Sequence, residues 1–278
     1  MTEEEIIAAA LLEDIGDGDH SSLSTIPADA QGKARLLVKE DGVLAGMDVA
    51  GKVFARVDPK IQMQRYLNDG ARIRKGDVAF IVWGPSISLL TAERTVLNFM
   101  QRMSGIATQT RRYVDAVEGT GAVVLDTRKT TPNMRVFEKY AVRAGGAQNH
   151  RMGLYDMIMI KDNHVDFAGG IPNAIAAVHR YMQATQRNLN IEIEVRNMDE
   201  LRQVLQQGGV HRIMLDNFTP AALKEAVDLI GGRFETEASG GITLDTIRTF
   251  AETGVDFISV GALTHHISSL DLSLKAID

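Results

Sequence analysis

The sequence predicts an α/β protein: a small α+β domain with an antiparallel sheet, then a smaller or incomplete parallel α/β barrel. Three observations carry this. The first third holds short alternating strands with Gly and Asp at the turns. From about residue 120 the pattern changes to a short apolar strand followed by an amphipathic helix, again and again. This second part, at about 150 residues, falls short of the eight units and roughly 250 residues of a full barrel. An open doubly wound sheet is the second candidate. At 278 residues the chain fits two modest domains, or one barrel with an appendage.

In chain order, a helix over Glu3 to Glu13 opens the molecule, and Gly16–Asp19 (GDGD) reads as a turn. Strands follow in KARLLVKEDG and RIRKGDVAFIVWG. The stretch TAERTVLNFMQRMSGIATQTRRYVDAVEG repeats its apolar positions, Val96, Leu97, Met100 and Met103, at helical spacing and bridges into the second part. There the strands are Val123–Leu125, Met157–Ile160, Ile191–Val195, Ile213–Leu215, Phe234–Ala238 and Phe257–Val260. Helices at Met198–Gln207, Pro220–Ile230 and Leu244–Thr253 lie among them.

Composition excludes several classes. Without cysteine there is no disulfide, thiolate metal site or cysteine nucleophile. No apolar run reaches the 18 or so residues of a membrane span, and MTEEEIIAAALLEDIG carries acids where a signal peptide carries lysines, so a soluble cytoplasmic protein is expected. The net charge of −6 argues against nucleic acid. Yet Asp126 to Asp162 carries seven Lys/Arg against four acids. A cationic cluster in an acidic chain suits a small, highly charged anion.

Active sites of such sheets lie beyond the C-terminal strand ends. Those ends read Asp126-Thr127-Arg128-Lys129; Lys161-Asp162-Asn163-His164; Glu192 and Glu194 in IEIEV; Asp216-Asn217; Ser239-Gly240-Gly241; and Gly261. One polar strand end is ordinary loop solvation, whereas six converging ends form a site. Arg128, Lys129, Arg151 and Lys161 supply donors for carboxylates or phosphates, and His150 precedes Arg151 on one loop. Glu194 and Asp216 are hard oxygen donors that suit Mg²⁺ held with a substrate phosphate. Asp216 has a second reading, as a cap for the helix beginning at Thr219. Glu192 and Glu194 share one face, and if that face is the barrel interior, Lys161 or a metal-bound substrate must compensate them. Ser239-Gly240-Gly241, between strand and helix, and Gly261 one unit later form a phosphate cradle that His265 is placed to assist. No GxSxG, Ser/His/Asp set or GxGxxG is present, so the site works by positioning and charge rather than covalent catalysis or a dinucleotide.

At these residues the sequence closely resembles the quinolinate phosphoribosyltransferase family (nicotinate-nucleotide pyrophosphorylase, carboxylating). The matching stretches are LLEDIGDGD, KEDGVLAG, AERTVLNFMQRMSGIAT, DTRKTTP, KYAVRAGGAQNHRMGLYD, IKDNH, EIEV, LDNF, EASGGIT and VGALTHH, in family order. The resemblance implies an N-terminal α/β sandwich domain over 1–110 and an incomplete, about six- to seven-stranded α/β barrel over 111–267. The tail 268–278 would return to the first domain. It implies transfer of phosphoribosyl from phosphoribosyl pyrophosphate to quinolinate with decarboxylation, in NAD biosynthesis. By position, Arg128, His150, Arg151 and Lys161 would hold quinolinate. Arg94 would reach the partner subunit's site in a homodimer or dimer-based oligomer. Lys129, Glu194 and Asp216 would be the catalytic group facing ribose, pyrophosphate and Mg²⁺. Ser239, Gly240, Gly241, Gly261 and His265 would bind the 5′-phosphate. Departures from the family pattern fall at Asp19–Ser22, Asn133 and Ala147, away from these ligands. Rival readings are a relative acting on another base, a non-catalytic barrel sensing phosphate metabolites, and an aldolase with Lys161 as Schiff-base former.

Overall fold

In the computed structural model, which describes residues 1–277, the chain runs through α1 (Glu3–Ile15), α2 (His20–Thr25), β1 (Gln31–Val38), β2 (Gly42–Val43), α3 (Met47–Val57), β3 (Gln62–Arg65), β4 (Arg72–Ile73), β5 (Val78–Pro85) and α4 (Ser86–Ala116). It continues through β6 (Val123–Leu125), α5 (Arg135–Ala144), β7 (Ile158–Ile160), α6 (Asp162–Ala168), α7 (Ile171–Thr185), β8 (Ile191–Val195) and α8 (Met198–Gln207). Then come β9 (Arg212–Asp216), α9 (Pro220–Ile230), β10 (Glu235–Ser239), α10 (Ile247–Ala251), β11 (Phe257–Ser259), α11 (Ala262–His265) and β12 (Leu272–Ala276). No described helix is long and apolar enough to cross a membrane.

These elements form two compact units. The first comprises Met1–Arg111, Thr130–Gly146 and the segment from Leu263 onward. Its antiparallel sheet has the order β12-β1-β5-β3, so the C-terminal strand lies beside β1. Alternation along β1 buries Leu36 and Val38, and β5 buries Phe80 and Val82. The amphipathic α3 buries Met47, Ala50, Val53 and Phe54. Phe54 meets Phe80 edge-to-face at 6.0 Å. The α4 helix is tied to the β2 strand and the residues after it through hydroxyls. The Ser104 Oγ accepts from Ala45 N at 3.0 Å and donates to Ala45 O at 3.1 Å, and Thr108 Oγ1 accepts from Val43 N at 2.8 Å.

Cutting the chain at residue 110 separates segments along the sequence; in space, Thr130–Gly146 groups with the first unit. Apolar and polar contacts both hold it there: Phe137 packs against Phe99 with ring centroids 5.0 Å apart. The Arg102 side chain donates to buried Glu138 at 2.9 and 2.6 Å, and Tyr140 donates to Asp69 at 2.7 Å.

The second unit, Arg112–Lys129 and Ala147–Ala262, holds a six-stranded parallel sheet of order β6-β11-β10-β9-β8-β7. Neighbours follow the cyclic order of a barrel, except that β6 and β7, consecutive in sequence, lie at opposite edges. The barrel is therefore incomplete, with its break between these two strands. Ile193, Ile213, Leu215, Ala238 and Ile258 are buried on one face. The α8 and α9 helices cover the barrel with Leu201, Val204, Leu223, Ala226 and Ile230. Asn197 caps α8, accepting from Asp199 N and Glu200 N, and Thr219 caps α9 ahead of Pro220. The helix expected over Leu244–Thr253 narrows to α10. Thr243 and Thr246 bond to each other's hydroxyl and backbone groups and hold its first turn out of the helix.

Gly105 on α4 marks where the C-terminal segment presses closest. A Cβ there would lie 2.2 Å from the Ser268 carbonyl oxygen. Beside it, Leu270 N donates to Gln101 O and the Gln101 amide to Leu272 O, both at 2.9 Å. Gly105→Ala is expected to destabilise the protein by roughly 1–3 kcal/mol through this overpacking. Urea unfolding checks it, and an unchanged midpoint would contradict the close approach.

Candidate active site

Strand parity decides which side chains share a surface. The registers align Glu192 with Arg212 and Met159, Arg212 with Glu235, Met214 with Glu194 and Glu237, and Asp216 with Ser239. All of these project from one face, and the apolar residues above project from the other. Glu192 and Glu237 stand on strands two apart, yet both reach one nitrogen of His150, at 2.9 and 3.4 Å. Only a concave surface allows this, so the charged face is the barrel interior.

At the C-terminal ends the sequence-derived residues take definite places. Asp126, at the end of β6, is fully buried. Its carboxylate accepts from His150 N at 2.8 Å and from the Asn149 amide at 2.6 Å, fixing the loop that carries His150 and Arg151. Arg128 and Lys129 follow, exposed. Arg151 is half-buried and its guanidinium donates to Met157 O at 3.2 Å. Burial, then the positive charge of neighbouring Arg128, lowers its pKa. Two guanidiniums so placed favour an anion between or beside them. Lys161 leaves β7 and its ammonium contacts Glu194 at 2.9 Å, the compensation that Glu194 requires inside the barrel. Lys161 N donates to His164 Nδ1 at 2.9 Å, closing the first turn of α6.

Asp216 does not cap α9, because Thr219 does. Its carboxylate accepts instead from the Asn217 amide at 2.5 Å. Asn217 sits at φ 57, and its N–H donates to Ser239 O at 2.8 Å. Gly240, at φ +99, has no room for a side chain: a Cβ would lie 2.2 Å from Asn217 Oδ1. Gly241 follows at φ +61 in open space. The glycines therefore let the backbone turn tightly against Asn217 and leave one side bare.

The second unit thus collects Arg128, Lys129, His150, Arg151, Lys161, Glu194, Asp216, Ser239, Gly240, Gly241 and Gly261 at or beyond the ends of one sheet's strands. Arg94 and His265 belong to the first unit. Arg94 is exposed on α4, and His265 stands edge-on to His266 at 5.5 Å.

Beneath the mouth lies a cluster that reading the sequence missed. Arg212 contacts both Glu235 and Glu237 at 3.0 Å and lies 3.9 Å over the Phe257 ring. Burial opposes charge on His150, but the Glu192 and Glu237 carboxylates outweigh it and raise its pKa to about 9. Burial and the charge of Glu237 push Glu192 upward. Burial also opposes ionisation of Glu237, yet His150, Ser259 and Arg212 hold it below its usual value. Arg151 N donates to His150 Nδ1 at 2.7 Å, which requires a lone pair there and favours moving one proton toward Glu192. Either way, Arg212 and one proton balance two carboxylates. The signal was present in ETEAS, whose Glu235 and Glu237 alternate as Glu192 and Glu194 do in IEIEV.

Comparison with known proteins places both parts of the chain in one family. The quinolinate phosphoribosyl transferase N-terminal domain model matches residues 19–104, and the C-terminal domain model matches residues 106–275. A decarboxylating quinolinate phosphoribosyltransferase of Nicotiana glauca is 46% identical, over 98% of this chain and 81% of its own. A carboxylating nicotinate-nucleotide pyrophosphorylase of Oryza sativa is 47% identical, over 97% and 76%. The crystal structure of NadC from Streptococcus pyogenes superposes with a TM-score of 0.93 at 41% identity, covering 99% of this chain and 97% of that one. The chain belongs to the quinolinate phosphoribosyl transferase family.

Proposed function

We propose that this chain transfers the phosphoribosyl group of phosphoribosyl pyrophosphate to quinolinate and releases pyrophosphate and carbon dioxide, giving nicotinate mononucleotide for NAD biosynthesis. The observation that carries this is the placing of Arg128 beside half-buried Arg151, and of Lys161 against Glu194, at the strand ends of one sheet. That arrangement suits a substrate with two carboxylates next to one with many phosphate oxygens.

In this reading Arg128, Arg151 and Lys161 hold the quinolinate carboxylates, with His150 in the same loop. The bare Ser239–Gly241 turn and Gly261 receive the 5′-phosphate. Lys129, Glu194 and Asp216 face the ribose and pyrophosphate. The pyridine nitrogen attacks the anomeric carbon as the bond to pyrophosphate oxygen breaks. The ring then carries a positive charge, the bond to the adjacent carboxylate breaks, and the electron pair left on the ring carbon takes a proton. Held rigidly and stripped of water, the substrates need positioning more than a covalent partner.

Glu194 and Asp216 project from the same face of neighbouring strands, with Asp216 two residues further along, and both are oxygen donors. This fits Mg²⁺ shared with substrate phosphate better than an all-protein cage. When bound, the ion neutralises charge on the leaving pyrophosphate. We further propose a homodimer or dimer-based oligomer with shared sites, in which Arg94, exposed on α4, reaches the partner subunit's site as the family resemblance implies. A cytoplasmic setting agrees with the cysteine-free composition.

The direct test is turnover of phosphoribosyl pyrophosphate with quinolinate, nicotinate or nicotinamide, read by pyrophosphate release. Turnover with quinolinate alone, abolished by chelation and restored by Mg²⁺, is expected; turnover with nicotinate alone contradicts the substrate. In the same assay, an inactive Arg94→Ala chain mixed with a second inactive variant should regain part of its activity, and no recovery would argue against shared sites. Lys161→Ala should raise the quinolinate KM about 10- to 100-fold, the worth of a charged hydrogen bond. An equal rise for both substrates would overturn its placement, and a borohydride-trapped adduct on Lys161 would favour the aldolase reading. Gly240→Ala should raise the KM for phosphoribosyl pyrophosphate, since the turn must move off Asn217. An unchanged KM would remove the Gly240 turn from the phosphate site.

A further inference from the structure

The barrel interior carries more charge than substrate binding explains. Glu192, Glu237 and Arg212 lie below the residues that meet substrate in the proposed reading, and barrel interiors are ordinarily filled by branched apolar side chains. Well-packed apolar residues commonly stabilise a fold as well as or better than a buried ion pair. Oε1 of Glu192 and Oε1 of Glu237 are buried without a well-aligned hydrogen bond. A cluster built only for stability would satisfy these atoms.

The geometry shows what the cluster holds. His150 is fixed from two sides. Asp126 grips its backbone N–H at 2.8 Å from one, and Glu192 and Glu237 approach its Nε2 at 2.9 and 3.4 Å from the other. Glu237 is itself anchored by Arg212 at 3.0 Å, and Arg212 is anchored by Glu235 and the Phe257 ring. On the far side of the ring, Nδ1 accepts the N–H of Arg151 at 2.7 Å. The chain of contacts runs Arg212, Glu237, His150 and the backbone of Arg151, whose guanidinium bonds to Met157 O and feels the charge of Arg128.

The three ligand atoms of His150, Glu192 and Glu237 lie within 4.8 Å of one another, a spacing that also suits a metal ion. Two features favour a proton-bridged cluster instead. Arg212 already neutralises Glu237. Because Nδ1 accepts from Arg151, the imidazole hydrogen sits on Nε2, the atom a metal would need.

We propose that Glu237, anchored by Arg212 and acting with Glu192, is a positioning residue for substrate recognition: it sets the His150 ring and thereby the Arg151 backbone and guanidinium that receive a quinolinate carboxylate. This rests on the proposed quinolinate reading. A displacement of about 1 Å at such a group costs up to about a hundredfold.

The test is steady-state kinetics on the full-length protein. Wild-type turnover of quinolinate comes first, and its absence would fail the substrate reading rather than this proposal. Glu237→Gln keeps size and removes charge. It should raise the quinolinate KM about tenfold or more and leave the KM for phosphoribosyl pyrophosphate within about twofold, while the lost pair with Arg212 lowers the thermal midpoint. Arg212→Met should reproduce the same one-sided rise, because it frees Glu237 from its anchor. Glu235→Gln, on the exposed partner of Arg212, should change neither KM. If Glu237→Gln fails to fold, Glu237→Asp keeps the charge one methylene back and should show a smaller rise confined to quinolinate. Wild-type kinetics in the soluble Glu237 variant would overturn the proposal. So would both KM values rising together by similar factors.

Discussion

A carboxylate taken out of water costs several kcal/mol unless an opposite charge meets it in good geometry. The incomplete barrel buries three, Glu192, Glu194 and Glu237, on its inner face. Their partners are Lys161 for Glu194, Arg212 for Glu237, and His150 shared between Glu192 and Glu237. Lys161 and His150 also fix the end of a strand or the loop beyond it. Balancing the interior therefore also positions the mouth. Lys161 is held where β7 meets α6, and His150 where the loop after α5 returns to the barrel.

The rest of the fold supplies a stable frame for this constraint. Caps at Asn197 and Thr219 start α8 and α9 directly after the strands that carry Glu194 and Asp216, so those acids sit on rigid backbone. Asn217 in the left-handed region and the glycine turn after Ser239 pass close to each other, which fixes the backbone of two neighbouring strand ends at once. In the first unit, hydroxyls of α4 and the close approach at Gly105 hold the β2 region and the returning C-terminal strand.

Much of this was legible in the sequence, for physical reasons. Met198–Gln207 and Pro220–Ile230 are read to the residue because each has a side-chain cap or an N-terminal proline at one end and glycine at the other. Ile191–Val195 and Val123–Leu125 are equally clear as short β-branched runs. The DTRKTTP, NHR, KDNH and SGG stretches carried the family resemblance, and the family models bear it out. What stayed hidden depends on three dimensions. Glu237 and Arg212 look like ordinary alternating strand charges until the sheet curves and brings strands two apart to one nitrogen. The two readings of Asp216 are separated only by seeing Thr219 occupy the cap. The grouping of Thr130–Gly146 with the first unit follows from Arg102 meeting Glu138, 36 residues apart, and from Phe99 meeting Phe137, contacts that no local pattern reveals.

If the balanced interior presents fixed cations, a ligand with two carboxylates should engage more of them than a ligand with one. Titration calorimetry with quinolinate, nicotinate and nicotinamide tests this most directly. Quinolinate should bind roughly 10- to 100-fold more tightly than nicotinate, the worth of one further charge-assisted contact, with nicotinamide weaker still. Equal affinity for quinolinate and nicotinate would contradict it, because the mouth would then not be reading the second carboxylate.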